Sequence, residues 1–296
     1  MTHIDTITLL IERHTDADGL TETGIEGVKL FRAVDSVPCQ PVVYEPCLIA
    51  LASGAKEVAL DGTRHVYSSK QYLCCPLSMP IQAGTSTASA ENPLYGVYIS
   101  LNPRKMTELA VEIENHGSAL RKSDEGSNSL AIRLADWDDP FAEALLRLLQ
   151  LVDAPVDKSV LADARLRELY YTILRGEIGA FARNAFGVGN AISRAIAYVS
   201  ENLGEPLAID DLAERAGMSR AVFHRKFKSA TAMSPIQFVK TMRLNTAAMK
   251  ISEGATISQA AMDVGYLSPS QFSREFKRLY GQTPRQWSEA LTTLPS

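Results

Sequence analysis

Two arginines, Arg225 and Arg274, each lie midway between two phenylalanines, in the segments Phe223–Phe227 and Phe272–Phe276. The spacing places both phenylalanines of a segment on one face of an α-helix and directs the arginine between them to the opposite face. An outward guanidinium has the fork of donors that fits guanine O6 and N7 in a DNA major groove. The two segments therefore indicate recognition of a nucleic acid by two helices with equivalent arginines.

The residues around each arginine complete a polar face that could contact DNA. The candidates for contacts with base edges are Ala221, His224 and Arg225 in the first helix and Ser270, Gln271 and Arg274 in the second. The candidates for phosphate contacts, which orient a protein without specifying sequence, are Ser219, Arg220, Lys226, Lys228, Ser268, Lys277 and Arg278. A lone arginine here would fit a solvated surface helix equally well, and its repetition in register favours recognition. Because the neighbouring residues differ, we expect the two helices to recognise different sequences.

Each arginine helix follows a short amphipathic helix and a glycine turn, in the segments 209–228 with Gly217 and 257–277 with Gly265. This arrangement predicts a helix-turn-helix, whose second helix lies in the major groove. Two copies predict a protein that reaches two groove segments one DNA turn (~34 Å) apart. The surrounding pattern predicts seven helices, including a first at 191–202, a long one at about 235–252 and a last at 284–291.

The charge of the 296 residues is divided unevenly, although the total is only −4. Residues 189–296 contain 13 Lys and Arg against 9 Asp and Glu, and residues 1–188 contain 17 against 25. This asymmetry favours a basic binding module joined to a domain with another role. We place the first domain at 1–181, a linker at 182–189 and an all-α DNA-binding domain at 190–296.

The first domain is predicted to be rich in strands and then helical, which makes the fold class α+β. Short apolar runs separated by turn residues between 41 and 102 favour a small sandwich or barrel. Helical periodicity follows at 103–114, 138–152 and 158–176, whereas the first 40 residues have only a weak pattern. An apolar stripe of Leu166, Leu169, Tyr170 and Ile173 fits either a core or a dimer seam, and we favour the seam.

The C-terminal pattern resembles the DNA-binding domain of AraC/XylS-type transcriptional regulators. The resemblance is carried by Leu212-Ala213, Gly217-Met218-Ser219, Phe223 to Lys228, Ser234-Pro235, Val264-Gly265-Tyr266, Gln271 to Lys277, Tyr280-Gly281 and Thr283-Pro284. One departure is Ala232, where the family usually has the glycine that Gly281 supplies in the second half. If that turn requires a positive φ, alanine there costs stability.

The N-terminal half resembles the cupin-like sensing domain of one subgroup of the same family. The matching motifs are Tyr44-Glu45-Pro46-Cys47, Gly54-Ala55-Lys56, Tyr72-Leu73 and Met79-Pro80. The resemblance implies a cupin-like β-barrel at about 25–102 and helices at 103–181 that support dimerisation. It further implies a homodimer that binds double-stranded DNA, RNA polymerase and an unidentified small-molecule effector, with activation of transcription as the usual outcome.

Catalysis is not expected from this chain. Many cupins bind a metal through several histidines and a carboxylate, but only His65 lies in the barrel segment, so we expect neither a metal nor a cofactor. Nucleophile-elbow, phosphate-loop and zinc-protease motifs are missing from the sequence. A barrel enzyme with an accessory DNA-binding domain and a DNA-repair fusion are the alternatives from other classes.

Cys74 and Cys75 form an adjacent pair at the end of a predicted strand, where alternation would direct one thiol inward and the other outward. One interpretation is a redox- or electrophile-responsive regulator, which requires an exposed thiol of lowered pKa. The simpler one is that small cysteines fill buried strand positions. Four cysteines in a chain of this length, with no secretory or membrane-spanning pattern, favour a cytoplasmic protein with reduced thiols.

Overall fold

The computed structural model describes residues 2–60, 62–116, 131–187 and 190–292. The chain divides into two compact units, of which the first comprises Met1–Cys39, Glu45–Leu77 and Ala83–Asn190. The second comprises Gln40–Tyr44, Ser78–Gln82 and Ala191–Ser296. Two short segments of the N-terminal half therefore belong to the C-terminal unit, which the order of the chain does not suggest.

The strands all lie in the N-terminal half of the described chain. They are β1 Gly19–Ile25, β2 Val28–Ala33, β3 Gln40–Tyr44, β4 Cys47–Ser53, β5 Ala55–Leu60, β6 Thr63–Ser68, β7 Gln71–Cys75, β8 Met79–Gly84, β9 Leu94–Ser100 and β10 Arg133–Asp136. They form a six-stranded sheet in the order β1-β2-β9-β4-β7-β10 and a four-stranded sheet in the order β3-β8-β5-β6. The fold class α+β is confirmed, and the strands expected in a cupin-like barrel form these two sheets.

The helices of the N-terminal half are α1 His3–His14, α2 Pro103–Asn115, α3 Asp139–Leu149, α4 Pro155–Arg175 and α5 Gly179–Phe186, with a 3₁₀ turn at Gln150–Asp153. In α1 the hydroxyl of Thr2 accepts from the backbone N of Asp5, and the Asp5 carboxylate accepts from the backbone N of Thr2, which together form a capping box. Asp138 caps α3 by accepting from the backbone N of Phe141 at 2.9 Å. The ring of Phe141 then stacks on Tyr72 of β7, with centroids 4.5 Å apart, and joins α3 to the sheet.

The N-terminal half departs from the sequence pattern at several points. The weakly patterned first 40 residues contain α1, β1 and β2. Residues 42–52, which form one of the apolar runs in the sequence, are divided into β3 and β4 around Pro46, which cannot donate to a strand ladder. Residues 182–186 of the expected linker are helical, in α5. The stripe on α4 lies in the core and not at a free seam, because Leu169 and Ile173 are 0% exposed within this single chain.

The C-terminal unit has the seven predicted helices within its described part. They are α6 Ala191–Glu201, α7 Ile209–Arg215, α8 Arg220–Thr231, α9 Pro235–Ser252, α10 Ile257–Asp263, α11 Pro269–Tyr280 and α12 Pro284–Thr292. The capping box of Ser234 and Gln237 and a proline at the first turn start α9, the long helix between the two helix-turn-helix pairs. The rings of Phe227 and Phe238 pack edge to face with centroids 5.2 Å apart and join α8 to α9.

None of the helices within the described ranges is both long enough and apolar enough to span a lipid bilayer.

Candidate functional sites

Helices α8 and α11 are anchored in the same way and present equivalent faces. Phe223 and Phe227 of α8 are 0% exposed, and Phe272 and Phe276 of α11 are 1% and 0% exposed. Residues on the opposite faces are exposed, and these include all six candidates for base contact: Ala221, His224, Arg225, Ser270, Gln271 and Arg274. The structure thus brings the predicted residues together on two outward faces. Their contact with bases stays a prediction.

The two central arginines are free to meet a ligand. Among the residues that the structure describes, neither Arg225 nor Arg274 has a hydrogen-bond or ion-pair partner for its guanidinium. Arg220 differs, because its Nη1 lies 3.1 Å from a carboxylate oxygen of Asp210 on α7. Both members of that pair are about two-thirds exposed, so water screens their attraction.

The candidates for phosphate contact lie at the rims of the two faces. The four cations Lys226, Lys228, Lys277 and Arg278 are exposed. Ser268 caps α11, since its hydroxyl accepts from the backbone N of Gln271 at 3.3 Å. Ser219 occupies the same position before α8 but forms no capping bond, which leaves its hydroxyl available for another acceptor.

Glu275 is a residue of the second face that sequence reasoning missed. One of its carboxylate oxygens accepts from Gln271 Nε2 and from Lys240 Nζ, each at 3.3 Å, and the other accepts from the hydroxyl of Tyr266 at 2.8 Å. Burial opposes its ionisation, but these three donors together hold its pKa below the ordinary carboxyl value. The spacing of four between Gln271 and Glu275 was the available signal.

The turn of the second helix-turn-helix requires a glycine at position 265. Its φ is +85°, and a Cβ there would lie 2.9 Å from the carbonyl oxygen of Gly204. Any other residue would be strained in its backbone and would collide with a neighbouring turn. This glycine therefore allows the turn between α10 and α11 to pack closely against the turn that follows α6.

The cysteine pair does not have the environment of a reactive thiol. Cys74 and Cys75 are both 0% exposed, so the expectation of one inward and one outward thiol was wrong. The reason is that both faces of β7 are covered: the strand is buried from Tyr72 to Cys75, and Phe141 of α3 stacks on Tyr72, which shares a face with Cys74. Burial raises the pKa of both thiols, and it raises that of Cys47, which faces Cys75 across the ladder, from 9.0 to about 12. Such thiols stay protonated and shielded, which argues against the redox alternative.

A second polar group of the first unit lies on β5 and β6. Lys56 and Tyr67 are directly opposite each other in the antiparallel ladder, so their side chains share a face. Lys56 Nζ lies 5.2 Å from the centroid of the Phe31 ring, and burial lowers the pKa of the lysine to about 8. The Tyr67 hydroxyl is buried and has no hydrogen-bond partner among the described residues. A buried, unpartnered hydroxyl beside a lysine is a candidate contact for a polar or anionic ligand.

The described part of the chain contains no group of three or more His, Cys, Asp or Glu side chains placed to hold a metal ion.

Comparison with known protein families assigns both halves of the chain. Residues 24–181 match the AraC-type transcriptional regulator N-terminus, and residues 212–290 match a helix-turn-helix domain. The regulatory protein SoxS of Escherichia coli K12 is 33% identical over 101 residues, which are 34% of this chain and 94% of SoxS. The Transposon Tn10 TetD protein of Escherichia coli is 30% identical over 94 residues, 31% of this chain and 68% of TetD.

A solved structure extends the likeness over both halves of the chain. ToxT from Vibrio cholerae O395, bound to (E)-4-(8-methylnaphthalen-1-yl)but-3-enoic acid, covers 89% of this chain and 98% of its own, with a TM-score of 0.58 and 12% identity. At this identity the likeness concerns the fold.

Proposed function

The chain belongs to the AraC-type transcriptional regulators, and from that premise we propose how it binds double-stranded DNA and what controls it. Helices α8 and α11 enter adjacent segments of the major groove, where Arg225 and Arg274 contact bases. The observation that carries this assignment is that both arginines are exposed and unpartnered on helices anchored by buried phenylalanines. His224, Gln271 and the neighbouring small residues then make the preferences of the two helices unequal.

The test starts from an operator selected by the full-length protein from a randomised duplex library. Arg225→Ala and Arg274→Ala should each relax preference at a different set of base pairs, and each should cost ~1–3 kcal/mol in binding. Arg285→Ala is the control, since Arg285 is an exposed arginine on α12, outside both recognition helices, and pairs with Glu289, so its loss should leave preference unchanged. If neither α8 nor α11 variant alters affinity or preference, the assigned faces are wrong.

The first unit is the effector domain in this proposal, and its role is binding and not catalysis. Lys56 and Tyr67 support a small molecule with an anionic or strongly polar group, because a cation and an unsatisfied hydroxyl lie on one face. Phe31, beside Lys56, supplies apolar surface for the rest of such a molecule. These side chains define the effector class, and the butenoic acid bound in the ToxT structure is a first carboxylate to test.

Thermal shift on the full chain tests this effector class. The butenoic acid should stabilise the wild type more than its methyl ester does, because the ester lacks the charge that Lys56 would pair. Lys56→Met should abolish the difference between acid and ester, and Tyr67→Phe should weaken binding of both. Equal shifts with acid and ester in the wild type, or an unchanged difference in Lys56→Met, would exclude an anion site at this face.

The remaining parts of the proposal are the oligomeric state of the protein and its effect on transcription. We propose a cytoplasmic homodimer that contacts RNA polymerase and activates transcription, with the domains at 1–181 and 190–296 as effector and DNA-binding parts. The dimer surface excludes the α4 stripe, since that stripe is buried within one chain. A monomeric mass by light scattering at micromolar concentration would contradict the homodimer. Repression of a reporter driven by the selected operator would show that the protein is a repressor and not an activator.

A further inference from the structure

Asn245, in the middle of α9, is a fully bonded polar side chain in the interior of the second unit. It is 2% exposed. Its Nδ2 donates to the carbonyl oxygens of Val42 and Ile81, each at 3.0 Å, and its Oδ1 accepts from the hydroxyl of Tyr280 at 2.5 Å. A side-chain amide has two N–H groups, and both are used here. Because a buried amide left without these partners is costly, the network holds its members in one arrangement.

One end of the network consists of the two strand segments that belong to the second unit. Val42 lies in β3 and Ile81 in β8, which are neighbours in the sheet. A turn further along α9, the sulfur of Met249 accepts from the backbone N of Val43 at 3.1 Å. Both segments continue along the chain into the first unit, at Glu45 and at Ala83. Asn245 is thus bonded to backbone that is covalently continuous with the effector domain.

The other end of the network is the last residue of the second recognition helix. Tyr280 ends α11, six residues after Arg274. Its ring packs edge to face on Phe276, with centroids 4.5 Å apart, and lies 5.5 Å from the ring of Trp287. The position of the carboxyl end of α11 is therefore tied to Asn245 by a hydrogen bond and to the local core by its ring.

The first recognition helix has no such connection at the same position within the described chain. Thr231 ends α8 and is 0% exposed. Its hydroxyl donates to the carbonyl oxygen of Phe227 at 2.9 Å and accepts from the backbone N of Met233 at 3.2 Å. The hydroxyl of Thr231 therefore bonds only to backbone near the end of α8. The hydroxyl of Tyr280, in contrast, links the end of α11 to Asn245 and through it to the two strands.

We propose that Asn245 is a positioning residue that couples the strand segments 40–44 and 78–82 to α11, through hydrogen bonds that the end of α8 lacks. A displacement of these segments then changes recognition of the half-site bound by α11 and leaves the half-site bound by α8 unchanged. The proposal extends the assignment of the two arginines and rests on it. According to this proposal, recognition of the half-site bound by α11 depends on the position of the two strand segments of the N-terminal half.

The test uses the full-length protein and its selected operator. Arg225→Ala and Arg274→Ala first define which base pairs belong to α8 and α11, so a failure of the arginine assignment is seen in those variants alone. Tyr280→Phe then removes only the hydroxyl, and Asn245→Asp removes both donors to the strands while it keeps an acceptor for Tyr280. Tyr280→Phe should lower discrimination at the α11 half-site about fivefold, the equivalent of about 1 kcal/mol for one buried hydrogen bond, and Asn245→Asp, which removes two, should lower it at least as much. Neither variant should change discrimination at the α8 half-site.

Thr231→Val is the matched control, because it removes the buried hydroxyl at the end of α8 and keeps the shape of the side chain. It should lower the free energy of unfolding and leave discrimination at the α11 half-site unchanged. If Asn245→Asp does not fold by circular dichroism, Asn245→Leu takes its place. The proposal would be overturned if discrimination fell equally at both half-sites or if Tyr280→Phe did not lower it at the α11 half-site. It would also be overturned if Tyr280→Phe lowered this discrimination and the Asn245 variant did not.

Discussion

Ala232 and Gly281 are the capping residues that directly follow the two recognition helices, and both have the same left-handed backbone conformation, with φ of 63° and 75°. An L-residue in this region brings its Cβ close to a carbonyl oxygen, at a cost of roughly 1–2 kcal/mol, whereas glycine avoids that contact. The positive φ of Ala232 meets the condition under which alanine is expected to cost stability at this departure from the family pattern. The two halves of the DNA-binding unit therefore share a turn, and only the second has the residue best suited to it.

The first prediction is that Ala232→Gly stabilises the second unit. Relief of the left-handed strain should raise the free energy of unfolding by about 1 kcal/mol, less the added entropy of glycine in the unfolded chain. Urea unfolding followed by circular dichroism measures the change. Gly281→Ala should give the opposite sign, because a Cβ there meets no atom within 4 Å and only the backbone conformation penalises it. A less stable Ala232→Gly variant would contradict this explanation.

The second prediction concerns Glu275 and pH. Its pKa is lowered in the folded chain by the donors Tyr266, Gln271 and Lys240, despite its burial. Its stabilising contribution is therefore present above the ordinary carboxyl pKa of 4.5 and is lost as pH falls through the lower folded value. Glu275→Gln should lower the free energy of unfolding at neutral pH by about 1–2 kcal/mol, and the difference from the wild type should shrink in acid.

Glu289→Gln is the control for this variant. Glu289 pairs with Arg285 at 2.9 Å, but both side chains are largely exposed, so its loss should change stability little at any pH. Glu275→Gln should also relax preference at the base pair assigned to Gln271, because a neutral amide oxygen accepts less strongly from the Gln271 amide than the carboxylate does. A difference in unfolding free energy that persists unchanged in acid would show that the carboxylate charge is not the cause.

The C-terminal helices were predictable because their signals are local. Capping residues, prolines at first turns and phenylalanines four apart each act within one helix, so a single sequence displays them. Glu275 was missed although it lies four residues after Gln271, because an acidic residue on a DNA-facing helix has meaning only with its three donors in place.

The N-terminal half was less predictable because its packing joins distant segments. Cys74 and Cys75 point to opposite faces of β7 and are both buried, because both faces are covered, one of them by Phe141 of α3, about 70 residues further along the chain. Asn245 resembles an ordinary helix residue in the sequence, and its partners lie about 200 and 160 residues earlier in the chain. The helix α1 did have a local signal in the sequence, the capping pair of Thr2 and Asp5.

The third prediction is a loss of stability in alkali that depends on Cys47. Its folded pKa of about 12 lies above the ordinary 9.0, so the folded chain keeps a proton that the unfolded chain releases. The stabilising contribution is complete below pH 9.0 and falls as pH rises towards 12, by up to ~1.4 kcal/mol per pH unit. Cys47→Ala should make the alkaline decline in unfolding free energy shallower.

Urea unfolding at several pH values above 9 gives the slope for each protein, which separates this effect from any cavity left by Cys47→Ala. Cys39→Ala is the control, because Cys39 is only half-buried and should contribute less to the slope. An unchanged slope in Cys47→Ala would show that this thiol ionises equally in both states.

The fourth prediction separates phosphate contacts from base contacts by salt. Each of Lys226, Lys228, Lys277 and Arg278 is exposed, and replacing one by alanine should reduce the slope of log affinity against log salt by about 0.9. Preference among operator sequences should not change, because phosphates carry no sequence information. Fluorescence anisotropy across a salt series measures both quantities.

Arg220 should behave differently from these four cations, although it was predicted as a phosphate contact with them. Its ion pair with Asp210 already neutralises part of its charge, so Arg220→Ala should reduce the salt slope by less, and Asp210→Asn should increase it. Arg104→Ala on α2, which is 89% exposed and belongs to the first unit, is the control and should leave the slope unchanged. If a lysine variant alters sequence preference and leaves the salt slope unchanged, that lysine contacts a base. Its assignment as a phosphate contact would then be wrong.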